Sequence, residues 1–411
     1  TNSETKNFSQ NVSSSYHLED RDKCNKNTCA NTCNVPKLRF KGYNDEWVEK
    51  RIEKVLKIKH GKDQKAIENN DGIYPILATS GEIGRSNTFL WDKPCVLIGR
   101  KGTINKPQYM DTPFWTVDTL FYSYVFQNNN AKYLYYLFNT INWKKYDEST
   151  GVPSLSAKTI ERIKIKISNN LREQEKIASF LTLIDKKIEK QKELVELLKK
   201  YKRGLLSAIF SQKLKFKDDN GNDYPAWEEK RLGDICKIVG GGTPDTNNVK
   251  YWGDDINWFT PTEIIKKYAD SSNRKISRLG LLKSSAKILP IGTVLLTTRA
   301  TLGEMSILSI EATTNQGFQS LIPVKDEVSS EFIYYCQPII KHFCYKYANG
   351  STFLEISKQT LAKLKLMIPN KDEQNKISDF LSKFDNKIQQ EECILSYLKT
   401  YKKGLLQQMF I

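Results

Sequence analysis

Carboxylates crowd one stretch of this sequence. The run TPDTNNVKYWGDD supplies Asp245, Asp254 and Asp255, and EIIKK follows with Glu263 and Lys266. Such a set could hold Mg²⁺ and activate a water against a phosphodiester, as a metal-dependent endonuclease does. The acidic-x-Lys triplet usual for that chemistry is missing at this place, and the first half of the chain has no counterpart. Cys24, Cys29 and Cys33 form a second cluster, with His17 upstream. Their C-x4-C-x3-C spacing lacks a paired C-x2-C, and the surroundings are rich in Asn, Thr and Lys, so a polar leader is expected rather than zinc. Cys95, Cys236, Cys336, Cys344 and Cys393 are scattered and read as buried thiols of a reducing compartment. The three histidines, at 17, 60 and 342, lack zinc-hydrolase spacing. No Pro-Pro pair occurs, so the N/D-P-P-Y/W of an amino-methyltransferase is absent, as is a G-x4-G-K-[ST] phosphate loop. VGGGTP is glycine-rich but runs into proline rather than a helix. The expectation is no catalytic residue, no metal ligand and no cofactor in this chain.

A different chemistry fits better. The net charge is +17 and 11% of residues are aromatic, which points to a polyanionic partner and first to nucleic acid. Reading base edges needs donors and acceptors on loops; Arg suits guanine, and Asn or Gln suits adenine. In the first half Thr79, Ser80, Arg85, Arg100, Lys101 and Thr103 stand beside glycines that permit close backbone approach. In the second half Thr243, Asn247, Thr260, Arg299, Thr301 and Gln316 occupy comparable places. Each could equally shape a turn, make a structural hydrogen bond or touch a phosphate. Trp47, Trp227, Trp252 and Trp258 are expected in cores.

The elements that must position these loops come in two copies. Residues 171–210 align without a gap on 371–410, and 17 of 40 positions are identical. Upstream, LRFKGYNDEWVEKRI (38–52) answers LKFKDDNGNDYPAWEEKRL (214–232). The period is too long for a solenoid and indicates an internal duplication. Each copy ends in a long helix with apolar residues at heptad spacing. Its seam residues are Ile177, Leu181, Ile184, Ile188 and Leu198 in one copy and Ile377, Leu381, Phe384, Ile388 and Leu398 in the other. Polar residues interrupt at matching places, Gln191 and Lys202 against Glu391 and Lys402. The helices are expected to pack antiparallel, with the interruptions fixing register; the alternative has each helix covering its own domain. Gly204 and Gly404 could break the last turns, and Leu205, Ile209 and Phe210 are expected against the partner helix or a docked subunit.

Between start and helix each copy holds a mixed interior. GIYPILATSGEIG (72–84) reads as strand, turn, strand; KPCVLIGRKGTI (93–104) as a buried strand entering a glycine turn; WTVDTLFYSYVF (115–126) as strand. AKYLYYLFNTI (131–141) and SEFIYYCQPIIKHFCYKY (330–347) have helical spacing. Two copies of one α+β fold with divergent loops follow. Two recognition heads on a rod suit one long ligand contacted twice, and duplex DNA, repeating every ~34 Å, fits.

GGGTPDTNNVKYWGDDINWFTPTEI (240–264), LLTTRATLGEMSI (295–307) and NQGFQSLIP (315–323) resemble blocks of the target recognition domain in type I restriction–modification specificity subunits. LIGRKGTI (97–104) and FWTVDTLFY (114–122) look like that family's alternative blocks, and REQEKIASFLTLIDKKIE and DEQNKISDFLSKFDNKI like its helical regions. The likeness runs from about 36 to 411. It implies two similar mixed α/β target recognition domains separated by two long helices packed as an antiparallel coiled coil, with pseudo-two-fold symmetry. The expected domains are a polar leader at 1–35, recognition domain 1 at 36–170, helical region 1 at 171–213, recognition domain 2 at 214–369 and helical region 2 at 370–411. The resemblance further implies a non-catalytic reader of a bipartite site in double-stranded DNA. Two modification (methyltransferase) subunits and the restriction (translocase/nuclease) subunits would be its partners. S-adenosylmethionine, ATP and Mg²⁺ would sit on those partners. A coiled-coil scaffold without DNA binding and a stand-alone nuclease are the alternatives. No apolar run approaches the ~20 residues of a membrane span, and the start lacks an apolar signal core, so a cytoplasmic location is expected.

Overall fold

A computed structural model of the chain describes residues 34–299, 301–350 and 354–411, and the backbone of 18–20. Cys24, Cys29, Cys33 and His17 lie outside the described residues. Contacts divide the chain into two units: residues up to Val195 together with Gln390–Ile411, and Glu196–Gln389. Both long helices, Leu171–Phe210 and Lys371–Met409, are therefore shared between the units.

The first unit contains a four-stranded antiparallel sheet in the order Leu56–Lys59, Leu120–Val125, Cys95–Gly99, Gln108–Met110. The CVLIG strand is buried throughout, as its unbroken apolar run requires. A three-stranded sheet centres on Tyr74–Ala78, antiparallel to Gly81–Ser86 and parallel to Trp115–Thr116. WTVDTLFYSYVF is thus two strands, because the chain leaves one sheet at Thr116, turns at Asp118–Thr119 and joins the other at Leu120. Val48–Arg51 pairs with Lys164–Ile167, which leads into the first long helix. The helix Ala131–Phe138 is capped by the Asn130 carboxamide oxygen, which accepts the Tyr133 N–H.

The second unit repeats this plan. Cys236–Gly240, Gln319–Pro323, Val294–Leu296 and Met305–Leu308 follow the same sheet order, with Tyr268–Ala269 added parallel at the edge. Trp252–Phe259 is central to its three-stranded sheet, antiparallel to Arg274–Ile276 and parallel to Ala312–Thr314. Glu228–Arg231 pairs with Lys365–Ile368 ahead of the second long helix. The run expected as one helix at 330–347 is two, Ser330–Tyr335 and Gln337–Tyr347; Pro338 opens the second. The fold is the duplicated α+β architecture expected from the sequence. Among the described residues no helix is long and apolar enough to cross a membrane.

The long helices do two jobs in turn. The first part of each lies against the head that precedes it: Ile177, Leu181 and Ile184 join the core of the first unit, and Ile377 and Leu381 that of the second. Ile188 is half-buried at the margin of the first core. The helices then run antiparallel beside each other. In the first unit Asp185 pairs with Lys402 at 2.5 Å, and Gln191 donates to the Glu391 carboxylate at 2.6 Å and to its carbonyl at 3.0 Å. In the second, Lys202 pairs with Asp385 and Tyr201 packs on Phe384. Leu398 is buried, whereas Leu198, Phe384 and Ile388 are half-buried. Lys202 and Lys402 are therefore ion-paired seam residues. Each Asp also accepts a tyrosine hydroxyl, Tyr136 at 2.8 Å or Tyr335 at 2.7 Å, so the same Lys–Asp–Tyr group clamps each head to both helices.

The last turns continue unbroken through Gly204 and Gly404, at both of which a Cβ would meet open space. They end inside cores. Phe410 packs on Trp47 and Tyr133 in the first unit, and Phe210 on Trp227 and Phe332 in the second. Ile209 and Phe210 thus close a head rather than face only a helix or a separate subunit. Trp47 is buried and Trp227 half-buried.

The helix starts are fastened by the repeated Glu-Gln pair. Asn170 and Asn370 accept the N–H of Glu173 and Glu373. Glu173 is buried, receives two bonds from Arg39 at 2.6 and 2.9 Å, and accepts the Ser168 hydroxyl. Glu373 instead accepts the Trp227 indole N–H at 2.9 Å. Burial pushes its carboxyl pKa up, against the smaller opposing effect of that hydrogen bond. Four of the five scattered cysteines are buried as expected. Cys393 is exposed, because it lies on the outer face of the second helix.

Candidate nucleic-acid interface

In each head several loops converge at one edge, where the strands of the two sheets end. Corresponding positions follow from matched backbone pairing. Lys62 N–H donates to the Thr116 carbonyl and Gly242 N–H to that of Thr314, both at 2.8 Å. One residue earlier, a Cβ on Gly61 would lie 2.1 Å from the Val117 oxygen, and one on Gly241 2.0 Å from the Asn315 oxygen. Only glycine fits either place. A tryptophan indole then holds the next carbonyl: Trp115 donates to Lys62 at 3.0 Å and Trp258 to Gly242 at 2.8 Å. The HGK stretch at 60–62 is therefore the first head's version of GGG at 240–242.

The second loop follows the central strand. In the first head it is the Thr79–Ser80 turn, completed by Gly81 at φ +118°. In the second it is the Pro261–Glu263 turn, closed by a reciprocal Thr260–Glu263 cap. The third loop follows Cys95–Gly99 in one head and Val294–Leu296 in the other, and contains Gly102 at φ +84° or Gly303 at φ +83°. It is tied to the fourth, since Arg100 N–H donates to the Thr119 carbonyl and Thr298 N–H to that of Gly317, both at 2.8 Å. Pro153–Leu155 and Glu355–Ile356 flank the third loop by backbone bonds.

Most of the expected residues gather here. A Cβ on Gly102 would lie 3.6 Å from the Thr79 hydroxyl, so the Thr79–Ser80 turn neighbours the turn of Arg100, Lys101 and Thr103. Arg100 is half-buried, donates to the Asp118 carbonyl at 3.3 Å and stands 3.5 Å from its carboxylate. Arg85 is placed apart, opposite Pro75 at the far end of its hairpin strand; it pairs with Glu82 at 3.0 Å and donates to the Gly72 carbonyl. In the second head Thr243 donates to the Gln316 side chain. Gly317 abuts Pro261, which brings Gln316 beside Thr260, whose hydroxyl donates to Glu263 at 2.7 Å. Arg299 faces Glu355 at 3.9 Å, Thr301 is exposed in the same turn, and Asn247 is exposed farther along the first loop.

Three residues of this edge escaped sequence reasoning: His60 and Lys62 in the first loop, and Arg274. His60 is edge-on to Phe121. A signal for the first two exists, since KIKHG (57–61) matches KIVGG (237–241), but at an offset of 180 rather than 200. Arg274 stacks 3.6 Å above the Trp252 ring.

Three of the four carboxylates that suggested a metal are occupied by backbone. Glu263 accepts the N–H of Thr260 and Asn273, Asp255 that of Arg278, and Asp245 that of Asn247. Among the described residues no three His, Cys, Asp or Glu side chains form a group able to hold a metal.

Comparison with known proteins supplies the family. The model of the type I restriction modification DNA specificity domain matches twice, over residues 44–199 and 225–400. The MjaIX specificity subunit of Methanocaldococcus jannaschii is 35% identical over 213 residues, 50% of this chain and 49% of that protein. The EcoR124I/EcoR124II specificity subunit of Escherichia coli is 27% identical over 217 residues, 49% of this chain and 53% of that one. The chain thus spans about half the length of these curated relatives. The crystal structure of a type I restriction–modification S subunit from M. genitalium shares the fold with a TM-score of 0.60 at 18% identity, covering 92% of this chain and 99% of that one. Two family matches that together take in most of the chain, one on each head and its helix, place it plainly: it belongs to the type I restriction–modification DNA specificity family.

Proposed function

We propose that this chain is the DNA-specificity subunit of a type I restriction–modification complex, each head reading one half of a bipartite target. The observation that carries this is the duplicated edge: the same loops, held by the same backbone bonds, present different side chains in the two heads. A shared scaffold with divergent loops suits two ligands of one kind and different detail. Glycines let the backbone approach, and the +17 charge favours a phosphate backbone. The chain itself is non-catalytic in this reading. Its long helices set the half-site separation and dock two methyltransferase subunits, with restriction subunits joining the complex. S-adenosylmethionine, ATP and Mg²⁺ act on those partners. The setting is the cytoplasm, where the target DNA lies.

The test is to co-express the chain with its modification subunit and map methylated adenines across the host genome. A single bipartite motif is expected. Replacing residues 36–170 with another head should change one half of that motif only; a change in both halves overturns the modular reading.

A further inference from the structure

Resting on that DNA-reading role, we propose that Arg274 is a base-reading residue of the second head, which recognises a guanine through the two parallel donors of its guanidinium. Arg274 lies on the strand Arg274–Ile276, opposite Trp258, which itself stands two residues before Thr260 and its loop. The neighbouring Asn273 N–H is bonded to Glu263 of that loop at 2.6 Å. Its guanidinium carbon stands 3.6 Å from the centroid of Trp252 and 5.5 Å from that of Trp258. The two rings meet edge to face at 5.0 Å, and their indole N–H groups hold the carbonyls of Asp245 and Gly242. The platform is thus built into the first loop of the same edge.

Stacking fixes the plane of the guanidinium and leaves its N–H rim open. The other arginines at these edges are committed: Arg100 to Asp118, and Arg299 toward Glu355. Among the described residues no carboxylate or carbonyl takes the Arg274 guanidinium, which is exposed. A planar fork held beside reading loops matches the O6 and N7 acceptors of guanine in the major groove. An exposed lysine such as Lys250 suits a phosphate, which needs charge but no fixed plane. The first head lacks the device. There the position opposite the central strand is Gly84, paired with Ile76. The inference therefore concerns the second half-site alone.

The experiment uses the full chain with its modification subunit, in wild-type and R274A forms, read by methylation mapping and by fluorescence anisotropy on duplexes. The wild-type motif should contain a required G·C pair in its second half. R274A, with unchanged thermal unfolding, should relax that one position by roughly 10- to 100-fold and leave the first half intact. A duplex carrying 7-deazaguanine at that position removes N7 without touching the protein. It should weaken wild-type binding and have no further effect on R274A. An unchanged motif in folded R274A overturns the inference. So does an equal loss on all sequences with a shallower salt slope, which marks a phosphate contact. Those failures leave the specificity-subunit reading standing, whereas a wild-type complex that methylates no bipartite motif removes both.

Discussion

Equivalent residues of the two repeats have taken on different electrostatics. Glu173 and Glu373 begin the two long helices in matched positions, yet one is paired with buried Arg39 and the other with a neutral indole. Replacing Glu173 by Gln strands the Arg39 charge in the core and should cost about 3–5 kcal/mol, read as a lower denaturant midpoint. Glu373 has the opposite sign. Its folded pKa is raised, so protonation favours the folded state and that benefit fades as pH climbs through the raised value. At neutral pH the buried carboxylate is then a burden. E373Q should leave the midpoint at pH 7 unchanged or higher, and its advantage over wild type should shrink as pH falls toward the ordinary carboxylate range. A lower midpoint at pH 7 would show that the Trp227 bond outweighs burial. The Glu-Gln repeat was visible in the sequence, but its partners were not, because Arg39 and Trp227 occupy unmatched places in the two copies.

The helices were legible as elements because heptad spacing and a gapless repeat are local signals. Their double allegiance was not. Nothing in GLLSAIF or GLLQQMF tells which head receives Phe210 or Phe410, since both heads offer aromatic cavities beside a tryptophan. The interiors were harder still. Insertions shift the offset between corresponding strands, so that HGK and GGG, one loop in two versions, look unrelated along the chain. Turns inside apparent single strands, as at Asp118–Thr119, were hidden because the residues on both sides favour strand equally. The exchange of helix ends carries a sharp expectation. F410A empties a site between Trp47 and Tyr133, and should destabilise the first unit by about 3–5 kcal/mol. Limited proteolysis should then cut within residues 36–170 long before it cuts the second head. Cleavage of both heads at equal rates would contradict the packing.

For the chain as a whole, the +17 charge has a measurable signature. If the loops and the basic surface neutralise six phosphates, DNA affinity should fall by roughly 1,000-fold between 50 and 200 mM salt. A flat salt response would argue for a scaffold that does not hold DNA. The way the helix ends are exchanged also sets an order in time. The first head is completed by Leu405, Met409 and Phe410, but the ribosome makes its other residues some 200 positions earlier. At about 5–20 residues per second, the first head waits on the order of 10–40 s with Trp47 and Tyr133 uncovered, while the second can close onto Ile209 and Phe210 as soon as it is made. The order of synthesis is thus inverted in the order of completion: the half made first is the half finished last, and it is the nascent first head that a chaperone would meet.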